Sequence, residues 1–414
     1  MNGLHPRAIA PLALSDYTAT TCAGVGREAL WRALGERRAC LKPCDFEDVK
    51  LETWIGEVAE LTGVRLPAAL QEYECRNNRL ALLGLEADGF MASVHTVVRR
   101  AGADRVGLFL GTSTSGLLES ELAYRRRDPV TGTLPDDFVY HGRHNTYSLA
   151  SFVRRLLGLN GPAHVISTAC SSSAKVFCAA ERMIRSGLID AAVVGGVDTL
   201  CLTTLYGFHS LELTSPVACR PYDVHRNGLS LGEAAAFALL VPEGSPGAEG
   251  STVFLCGYGE SSDAHHMSAP HPQGLGARLA MDAALRRAAL SSDRIDYVNL
   301  HGTATPTNDA AEGLAVSEVF GPATPCSSTK GITGHTLGAA GAVEAVICAQ
   351  ALKYQVAPAG DNTEVVDPSI PIAYLLGGRP ARLRFVLSNS FGFGGSNCSL
   401  VLATRGAAKA AANA

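Results

Sequence analysis

Several features are scarce or missing in this sequence of 414 residues. Aromatic side chains make up 6% of it, and 35 Lys and Arg nearly balance 39 Asp and Glu, which leaves a formal net charge of −4. That balance argues against a nucleic-acid binder that works through bulk positive charge. No apolar run reaches the roughly 18 residues that a membrane-spanning helix needs. The sequence therefore predicts a compact protein with no membrane span.

The N-terminus and the cysteines point to the cytoplasm. The apolar patch Ala8–Leu14 is short, is broken by Pro11, and follows no basic stretch, so no signal peptide is predicted. Twelve cysteines in a chain of this length do not make a disulfide framework, and no CxxC pair occurs among them. Most of them are expected to be small buried hydrophobic residues.

Short apolar runs alternate with helix-like segments, which is typical of an α/β protein with buried sheets. The segments His164–Gly187 and Pro325–Tyr354 share a pattern of strand, small-residue turn and helix. This similarity predicts a duplicated fold. Its seam is expected near the turn-rich stretch Pro242–Gly250, which divides the chain into residues 1–245 and 246–414.

The segment Thr168–Ala174 places Cys170 where a buried strand turns into a helix. Backbone N–H groups at a helix N-terminus lack partners within the helix, and the helix dipole there favours negative charge. A cysteine at this position is predicted to be a nucleophile with a raised thiolate fraction. The alternative is a buried cysteine beside a serine helix cap.

Two further segments carry histidines. His301 leaves the C-terminal end of an apolar strand, the edge at which ligands gather in open α/β sheets. Lys330 and His335 lie in a glycine-rich turn that lacks the order of a phosphate-binding loop. Taken alone, His301 could be a histidine satisfied by loop carbonyls, and the glycines beside Lys330 could serve close packing and special backbone angles.

A fourth segment, Ser388–Asn397, alternates Phe and Gly between two strands. Glycines on both sides of Phe393 suit a backbone N–H donor and a movable aromatic gate. The alternative is a plain glycine-rich hairpin.

Taken together and in this order, the four segments resemble the β-ketoacyl-acyl-carrier-protein synthases of the thiolase superfamily, in their elongating Cys-His-His form. The resemblance runs from about Val106 to Ala403 and includes Cys219–Gly232 and Ser261–Pro270. It implies an α/β fold in which a duplicated βαβαβαββ unit forms five layers, α-β-α-β-α. It also implies decarboxylative condensation of an acyl group with malonyl-acyl carrier protein, in fatty acid or polyketide-like biosynthesis.

The resemblance also implies a role for each matching residue. Cys170 would carry the acyl thioester, His301 and His335 would stabilise the enolate, and Lys330 and Glu312 would support the histidines as a charged pair. Phe393 would supply an oxyanion-hole N–H together with Cys170 and would gate acyl entry. The residues matched to substrate contacts are Thr303 and Thr305 on the phosphopantetheine arm and Thr114 at the closed end of the acyl pocket.

No metal or organic cofactor is implied, although Asn299, Glu344, Ser388 and Asn389 match a cation site of some relatives. The implied partners are acyl carrier protein and a second chain, in a homodimer or in a heterodimer with a chain-length-factor-like homologue. Three other functions are alternatives to a condensing enzyme. A chain-length factor usually lacks the cysteine, and a cysteine hydrolase has no use for a second histidine. A degradative thiolase would use a second cysteine, such as Cys398.

Three departures from the family pattern favour a specialised product, such as an aryl polyene, over housekeeping fatty acids. Ser15–Gly26 stands where relatives have a hydrophobic strand. Thr114 replaces a bulky aliphatic residue, and Asp137–Ser148 is polar where relatives are apolar.

Overall fold

The computed structural model describes residues 8–412, which form one 11-stranded mixed sheet, a three-stranded sheet and a two-stranded sheet, covered by helices. The strands are β1 (Leu12–Thr21), β2 (Lys42–Pro43), β3 (Trp54–Gly56), β4 (Val106–Gly111), β5 (Ala163–Ile166), β6 (Ala191–Asp198), β7 (Leu231–Gly232), β8 (Ala234–Pro242), β9 (Val253–Ser262), β10 (Tyr297–Asn299), β11 (Pro325–Ser327), β12 (Val356–Ala357), β13 (Ala373–Tyr374), β14 (Arg379–Pro380), β15 (Phe385–Gly392) and β16 (Ser396–Thr404). The α-helices are α1 (Arg27–Glu36), α2 (Arg76–Glu86), α3 (Phe90–Ala101), α4 (Leu117–Arg125), α5 (Ser148–Leu156), α6 (Ser172–Arg185), α7 (Leu202–Ser210), α8 (Leu275–Ala288), α9 (Pro306–Phe320), α10 (Lys330–Thr333), α11 (Ala340–Tyr354) and α12 (Arg405–Ala412).

The strand order shows the duplication. The order across the 11-stranded sheet is β13-β11-β10-β15-β16-β9-β1-β8-β6-β4-β5, whereas β2, β3 and β7 form the three-stranded sheet and β12 and β14 the two-stranded one. In the first half, β5, β4 and β6 are parallel, and β8 and β1 follow as antiparallel neighbours. In the second half, β11, β10 and β15 are parallel, and β16 and β9 follow in the same way. Each half therefore has the same topology.

The helices complete the predicted layers. Helices α6 and α11 contact each other; α6 packs mainly on β4 and β6, whereas α11 packs on strands of both halves, above all β15 and β8. Helices α2 and α5 lie on the first half of the sheet, whereas α8 packs on the second half and against α9. This arrangement confirms the thiolase-like five-layer fold expected from the sequence.

The two halves meet where β1 pairs briefly with β9, through Leu12 with Leu255 and Ala13 with Phe254. The boundary expected at residue 245 lies in the turn between β8 and β9. The division into residues 1–245 and 246–414 is kept as our proposal.

The polar N-terminal stretch forms strand β1, although its sequence looks unlike a hydrophobic strand. Thr18, Thr20 and Thr21 are buried in it. Threonine is β-branched and fits a pleated sheet well, so a polar sequence can still occupy a central strand.

One helical stretch in the described part of the chain, Arg76–Ala101, is long and apolar enough to cross a membrane, by length and composition only. It consists of α2 and α3, with a break at Asp88 and Gly89, which have φ of 57° and 74°. Leu80 and Leu85 of α2 are fully buried in the protein core. The stretch is therefore interrupted, and part of it packs in the protein core.

Candidate active site

Cys170 lies in the predicted turn between a strand and a helix. Strand β5 ends at Ile166, and α6 begins at Ser172. Ala169 has a φ of +50°, a left-handed conformation that is strained for a residue with a Cβ. The Thr168 N–H donates to Ser172 Oγ at 2.9 Å and ties the turn to the first residue of the helix. The backbone itself therefore fixes the position of Cys170.

The two histidines come from the second half of the chain and meet this cysteine. His335 Nε2 lies 2.9 Å from Cys170 Sγ, and the ring centres of His301 and His335 are 5.2 Å apart at an interplanar angle of 84°. All three side chains are buried. Their sulfur and nitrogen atoms lie within 4.8 Å of one another, a spacing that could also hold a metal ion.

Lys330 connects the histidines to a buried carboxylate. Its ammonium group donates to Glu344 and to the His301 carbonyl, and it lies 3.5 Å from His301 Nδ1. The charged pair expected from the sequence was Lys330 with Glu312, but the carboxylate in contact with Lys330 is that of Glu344. The reason is that Glu344 lies on α11, directly after the Lys330 turn, whereas Glu312 lies on α9 behind His301.

Glu312 acts on the backbone beside His301. Its carboxylate accepts the N–H groups of His301 and Gly302, each at 2.8 Å. It also accepts the Tyr222 hydroxyl at 3.0 Å and Asn389 Nδ2 at 3.2 Å. Glu312 therefore fixes the strand end that carries His301.

Burial controls the protonation of the site. It raises the pKa of the Cys170 thiol to about 12, although the Lys330 charge and the Phe393 N–H act in the opposite direction. The expectation of a raised thiolate fraction is thus corrected, because desolvation outweighs the Lys330 charge and the Phe393 hydrogen bond. Burial and the Lys330 charge also hold the pKa values of His301 and His335 well below their usual value, so both rings are neutral.

The expected cation site has a matching set of oxygens. In the described residues, Asn299 Oδ1, Glu344 Oε2 and Ser388 Oγ are buried without a hydrogen-bond partner. Asn389 Oδ1 instead accepts the Ser399 hydroxyl at 2.7 Å. Carboxylate, amide and hydroxyl oxygens suit a hard cation, so three of the four expected residues fit such an ion.

Cys170, His301 and His335 open into a cleft of about 580 Å³, part of which is continuous with solvent. Thr303 and Thr305 line it, and their hydroxyls are 2.9 Å apart. The Phe393 ring also lines the cleft and packs against Phe208, with ring centres 5.5 Å apart.

The structure does not bring Thr114 or Cys398 into this cleft. Among the described residues, neither belongs to the cleft lining. The N–H and hydroxyl of Thr114 donate to Asp198 Oδ1, at 2.9 and 2.8 Å. The sulfur of Cys398 is buried, 3.6 Å from that of Cys178.

Two residues near the site were missed by the sequence analysis. Buried Asp198 accepts the Gly338 N–H at 2.6 Å, close to His335, and its charge raises the pKa of Cys170. Its place at the carboxyl end of a parallel strand was the available signal. The ring centre of Phe391 lies 5.9 Å from that of His301, and only the Phe-Gly alternation pointed to it.

Comparison with known protein families agrees with this geometry. Residues 16–244 match the family model described as "Beta-ketoacyl synthase, N-terminal domain", and residues 253–364 match "Beta-ketoacyl synthase, C-terminal domain". The chain belongs to the β-ketoacyl synthase family. It is thereby placed among condensing enzymes of the acyltransferase type. The family match begins at residue 16, whereas the resemblance seen in the sequence begins only at about Val106. It ends at residue 364, so Phe393 lies outside it.

Individual relatives cover the chain to different extents. The chain is 35% identical to "Putative polyketide beta-ketoacyl synthase 1" of Streptomyces halstedii, over 92% of this chain and 94% of the relative. It is 40% identical to the mitochondrial "3-oxoacyl-[acyl-carrier-protein] synthase" of Arabidopsis thaliana, over 60% of this chain and 57% of the plant enzyme. That alignment thus spans little more than half of the plant enzyme.

The fold is similar to that in a solved structure of a ketosynthase in complex with its chain length factor from Xenorhabdus doucetiae. The TM-score is 0.86 at 37% identity, over 95% of this chain and 98% of the other. A β-ketoacyl synthase from Burkholderia phymatum gives 0.85 at 28% identity, over 96% and 100%.

Proposed function

We propose that this β-ketoacyl synthase condenses an acyl group, held as a thioester on Cys170, with malonyl-acyl carrier protein. The observation that carries the proposal is the 2.9 Å contact between Cys170 Sγ and His335 Nε2, with His301 beside it in the same buried cleft. Relatives named as 3-oxoacyl-acyl-carrier-protein synthases and polyketide synthases support the choice of substrates.

In the first half-reaction, the Cys170 sulfur attacks the thioester carbonyl of the acyl donor. Because the pKa of the thiol is raised, its proton must leave during the attack, and neutral His335 Nε2 is in position to accept it. The carrier sulfur leaves and takes up that proton from His335, while the acyl group stays on Cys170. The N–H groups of Cys170 and Phe393 would stabilise the tetrahedral oxyanion.

In the second half-reaction, the malonyl unit loses carbon dioxide, and the electrons of the broken C–C bond pass into a thioester enolate. A Lys330 ammonium 3.5 Å from His301 Nδ1 favours the tautomer with the proton on Nε2. His301 can then donate that proton in a hydrogen bond to the enolate oxygen. His335 can do the same in the tautomer that carries its proton on Nε2, which is the opposite of the tautomer that accepts the Cys170 proton. The enolate carbon attacks the Cys170 thioester, the C–S bond breaks, and the cysteine sulfur leaves and takes up a proton from solvent, which restores the thiol.

The rest of the cleft suits the carrier arm and the entry of the acyl group. Thr303 and Thr305 would contact the phosphopantetheine arm, because their hydroxyls line the approach to Cys170. The Phe393 ring would gate acyl entry from a segment in which Gly394 and Gly395 both have positive φ. At the cation site, Asn299, Glu344 and Ser388 would hold an ion that neutralises buried negative charge near Lys330.

The sheet edge at β5 is the proposed contact with a second chain. In the described residues, β5 pairs only with β4, and it is less buried than the fully buried strands β4 and β6. Unpaired strand edges are normally covered, and Tyr140 and Tyr147 are exposed in the segments that precede β5. We propose a homodimer through this edge. Native mass measurement with and without a chain-length-factor-like homologue distinguishes it from a heterodimer.

Intact-mass analysis tests the proposed reaction. The protein is incubated with a panel of acyl-loaded carrier proteins and then with malonyl-loaded carrier protein. We expect a mass increase on Cys170, followed by its loss together with release of carbon dioxide and formation of a 3-oxoacyl carrier. An acyl group on another cysteine, or hydrolysis without condensation, would contradict the proposal. The acyl group that stays on Cys170 also distinguishes a fatty acid from a specialised product.

A further inference from the structure

Tyr222 lies behind the histidines in a conformation that needs a reason. Its side chain is fully buried, in the segment between α7 and β7. Its φ is +63°, in the left-handed region that bulky residues rarely adopt. A backbone conformation of this kind persists only where surrounding contacts hold the residue in place, and such residues cluster near functional sites.

Both hydrogen-bond donors of Tyr222 bond to carboxylates on one face of α9. The backbone N–H donates to Asp309 Oδ2 at 2.8 Å, and the hydroxyl donates to Glu312 Oε2 at 3.0 Å. Asp309 and Glu312 are three residues apart, so they are neighbours on the surface of the helix. Tyr222 is therefore held against the helix that follows the His301 loop.

The Glu312 carboxylate connects the Tyr222 hydroxyl to the backbone of His301. One carboxylate oxygen accepts the His301 N–H, and the other accepts both the Gly302 N–H and the Tyr222 hydroxyl. Rotation of the carboxylate would break these backbone hydrogen bonds. The side-chain donors that oppose such a rotation are Tyr222 and Asn389.

We propose that Tyr222 is a positioning residue for His301: its hydroxyl holds the Glu312 carboxylate in the orientation that fixes the His301–Gly302 backbone. The inference rests on the proposed function, because it assigns Tyr222 to the decarboxylation half-reaction. Cys170 is held by a different turn and does not depend on this contact. The two half-reactions should therefore respond differently to the loss of the hydroxyl.

The variant Tyr222→Phe removes only the hydroxyl and keeps the ring, which packs on Tyr374 with ring centres 5.1 Å apart. With malonyl-loaded carrier protein, we expect kcat for carbon dioxide release to fall about tenfold, with KM within about twofold of the wild type, since a hydrogen bond to a charged group is being lost. Acylation of Cys170, followed by intact mass, should change less than about twofold.

Tyr258→Phe is the matched control. Tyr258 is also a buried tyrosine, and its hydroxyl donates to the buried carboxylate of Glu181 at 2.8 Å, away from the histidines. Loss of the Tyr258 hydroxyl should lower stability by about as much as Tyr222→Phe does. The rate of carbon dioxide release should stay within about twofold of the wild-type rate. If the two variants lower carbon dioxide release equally, or if Tyr222→Phe slows acylation as much as decarboxylation, the role of Tyr222 is merely structural and the inference is overturned.

A second readout does not depend on activity. Hydrogen exchange of the peptide that contains the His301 and Gly302 N–H groups should become faster in Tyr222→Phe, whereas the peptide around Cys170 should not change. Unchanged exchange at His301 in Tyr222→Phe would overturn the inference, whatever the activity of the wild type. Absence of carbon dioxide release from the wild type would instead refute the proposed function.

If Tyr222→Phe does not fold, Glu312→Gln tests the same path. It should give faster exchange at His301 and slower carbon dioxide release. A fast-exchanging His301 peptide is the supporting result, and a normal one contradicts the inference. Where both variants fold, adding Tyr222→Phe to Glu312→Gln should cause little further loss, because the two residues act through one contact.

Discussion

The two halves of the chain place different chemical groups at the same topological position. In the first half, residues 167–171 connect β5 to α6, and this short turn presents Cys170. In the second half, residues 328–339 connect β11 to α11, and this longer turn holds Lys330 and His335. In the proposed reaction, one turn thus supplies the nucleophile, and its counterpart supplies a cation and a proton-transferring histidine.

The two turns are also stabilised in different ways. Backbone geometry and neutral hydroxyls fix the Cys170 turn, with strain at Ala169. A buried ion pair between Lys330 and Glu344 supports the His335 turn. A duplicated fold can therefore specialise its copies, since each turn needs only to reach the cleft between them. The strongest test of this difference is to replace the reactive side chains of one turn at a time.

The variant Cys170→Ala should have the largest effect. Formation of the acyl-enzyme should fall by about 10⁴-fold or more, as it does when the nucleophile of a catalytic unit is removed. Malonyl decarboxylation should persist within about tenfold, because its donors lie in the second half. Intact mass and carbon dioxide release measure the two steps. Cys398→Ala is the control, and a comparable loss there would support a thiolase-type mechanism instead.

Replacement of His301 or His335 by Ala should produce the reverse pattern. Each removes a donor to the enolate, which typically lowers kcat by about 10²–10³-fold, so carbon dioxide release should fall by that factor. Acylation of Cys170 should slow only in His335→Ala, because His335 contacts the sulfur. Near wild-type condensation in both variants would refute the Cys-His-His assignment.

Loss of the buried ion pair should appear mainly as instability. Lys330 and Glu344 are 2% and 4% exposed, so Lys330→Met leaves a buried carboxylate without its partner and should lower the free energy of unfolding by about 3–5 kcal/mol. Arg105→Gln is the control: it breaks an exposed ion pair with Asp190 and should cost about 0–1 kcal/mol. Urea unfolding gives both values, and similar values would show that the Lys330 pair stabilises the turn little.

The sequence predicted the parts of this site that depend on local pattern. The strand, turn and helix around Cys170 were expected because small residues and a helix start are local signals. The thiolase-like fold followed from the order of four motifs. The shared strand topology of the halves was only hinted at, because the turns that do the chemistry have diverged.

The remaining features depend on how neighbouring elements pack, which a local pattern does not show. The pairing of Lys330 with Glu344, and of Glu312 with the His301 backbone, arises only when α9, α11 and β10 come together. The pKa of Cys170 was misjudged for the same reason, since its degree of burial cannot be read from its own segment. Strand β1 was obscured because buried threonines look polar in a sequence.

The pH dependence of alkylation tests this correction. A Cys170 pKa raised to about 12 means that the thiolate is a minor species at neutral pH, and its fraction rises about tenfold for each unit of pH from 7 to 10. Iodoacetamide labelling of Cys170, measured by peptide mass mapping, should rise in proportion without reaching a plateau. A plateau below pH 8 would show that the helix terminus outweighs burial after all.

The smallest expected effect separates Thr114 from the acyl pocket. In Thr114→Val, the hydroxyl that donates to Asp198 is lost, and a buried carboxylate deprived of one partner typically costs about 1–3 kcal/mol of stability. Because Thr114 does not line the cleft, the dependence of acylation rate on primer length should change less than about twofold.

Phe393→Ala is the positive control, since its ring lines the cleft and its removal should alter that profile. The measurement is the rate of mass increase on Cys170 for primers of increasing length. A shift toward shorter primers in Thr114→Val that leaves stability unchanged would place Thr114 in the acyl channel, and the first half would then contribute pocket shape as well as the nucleophile.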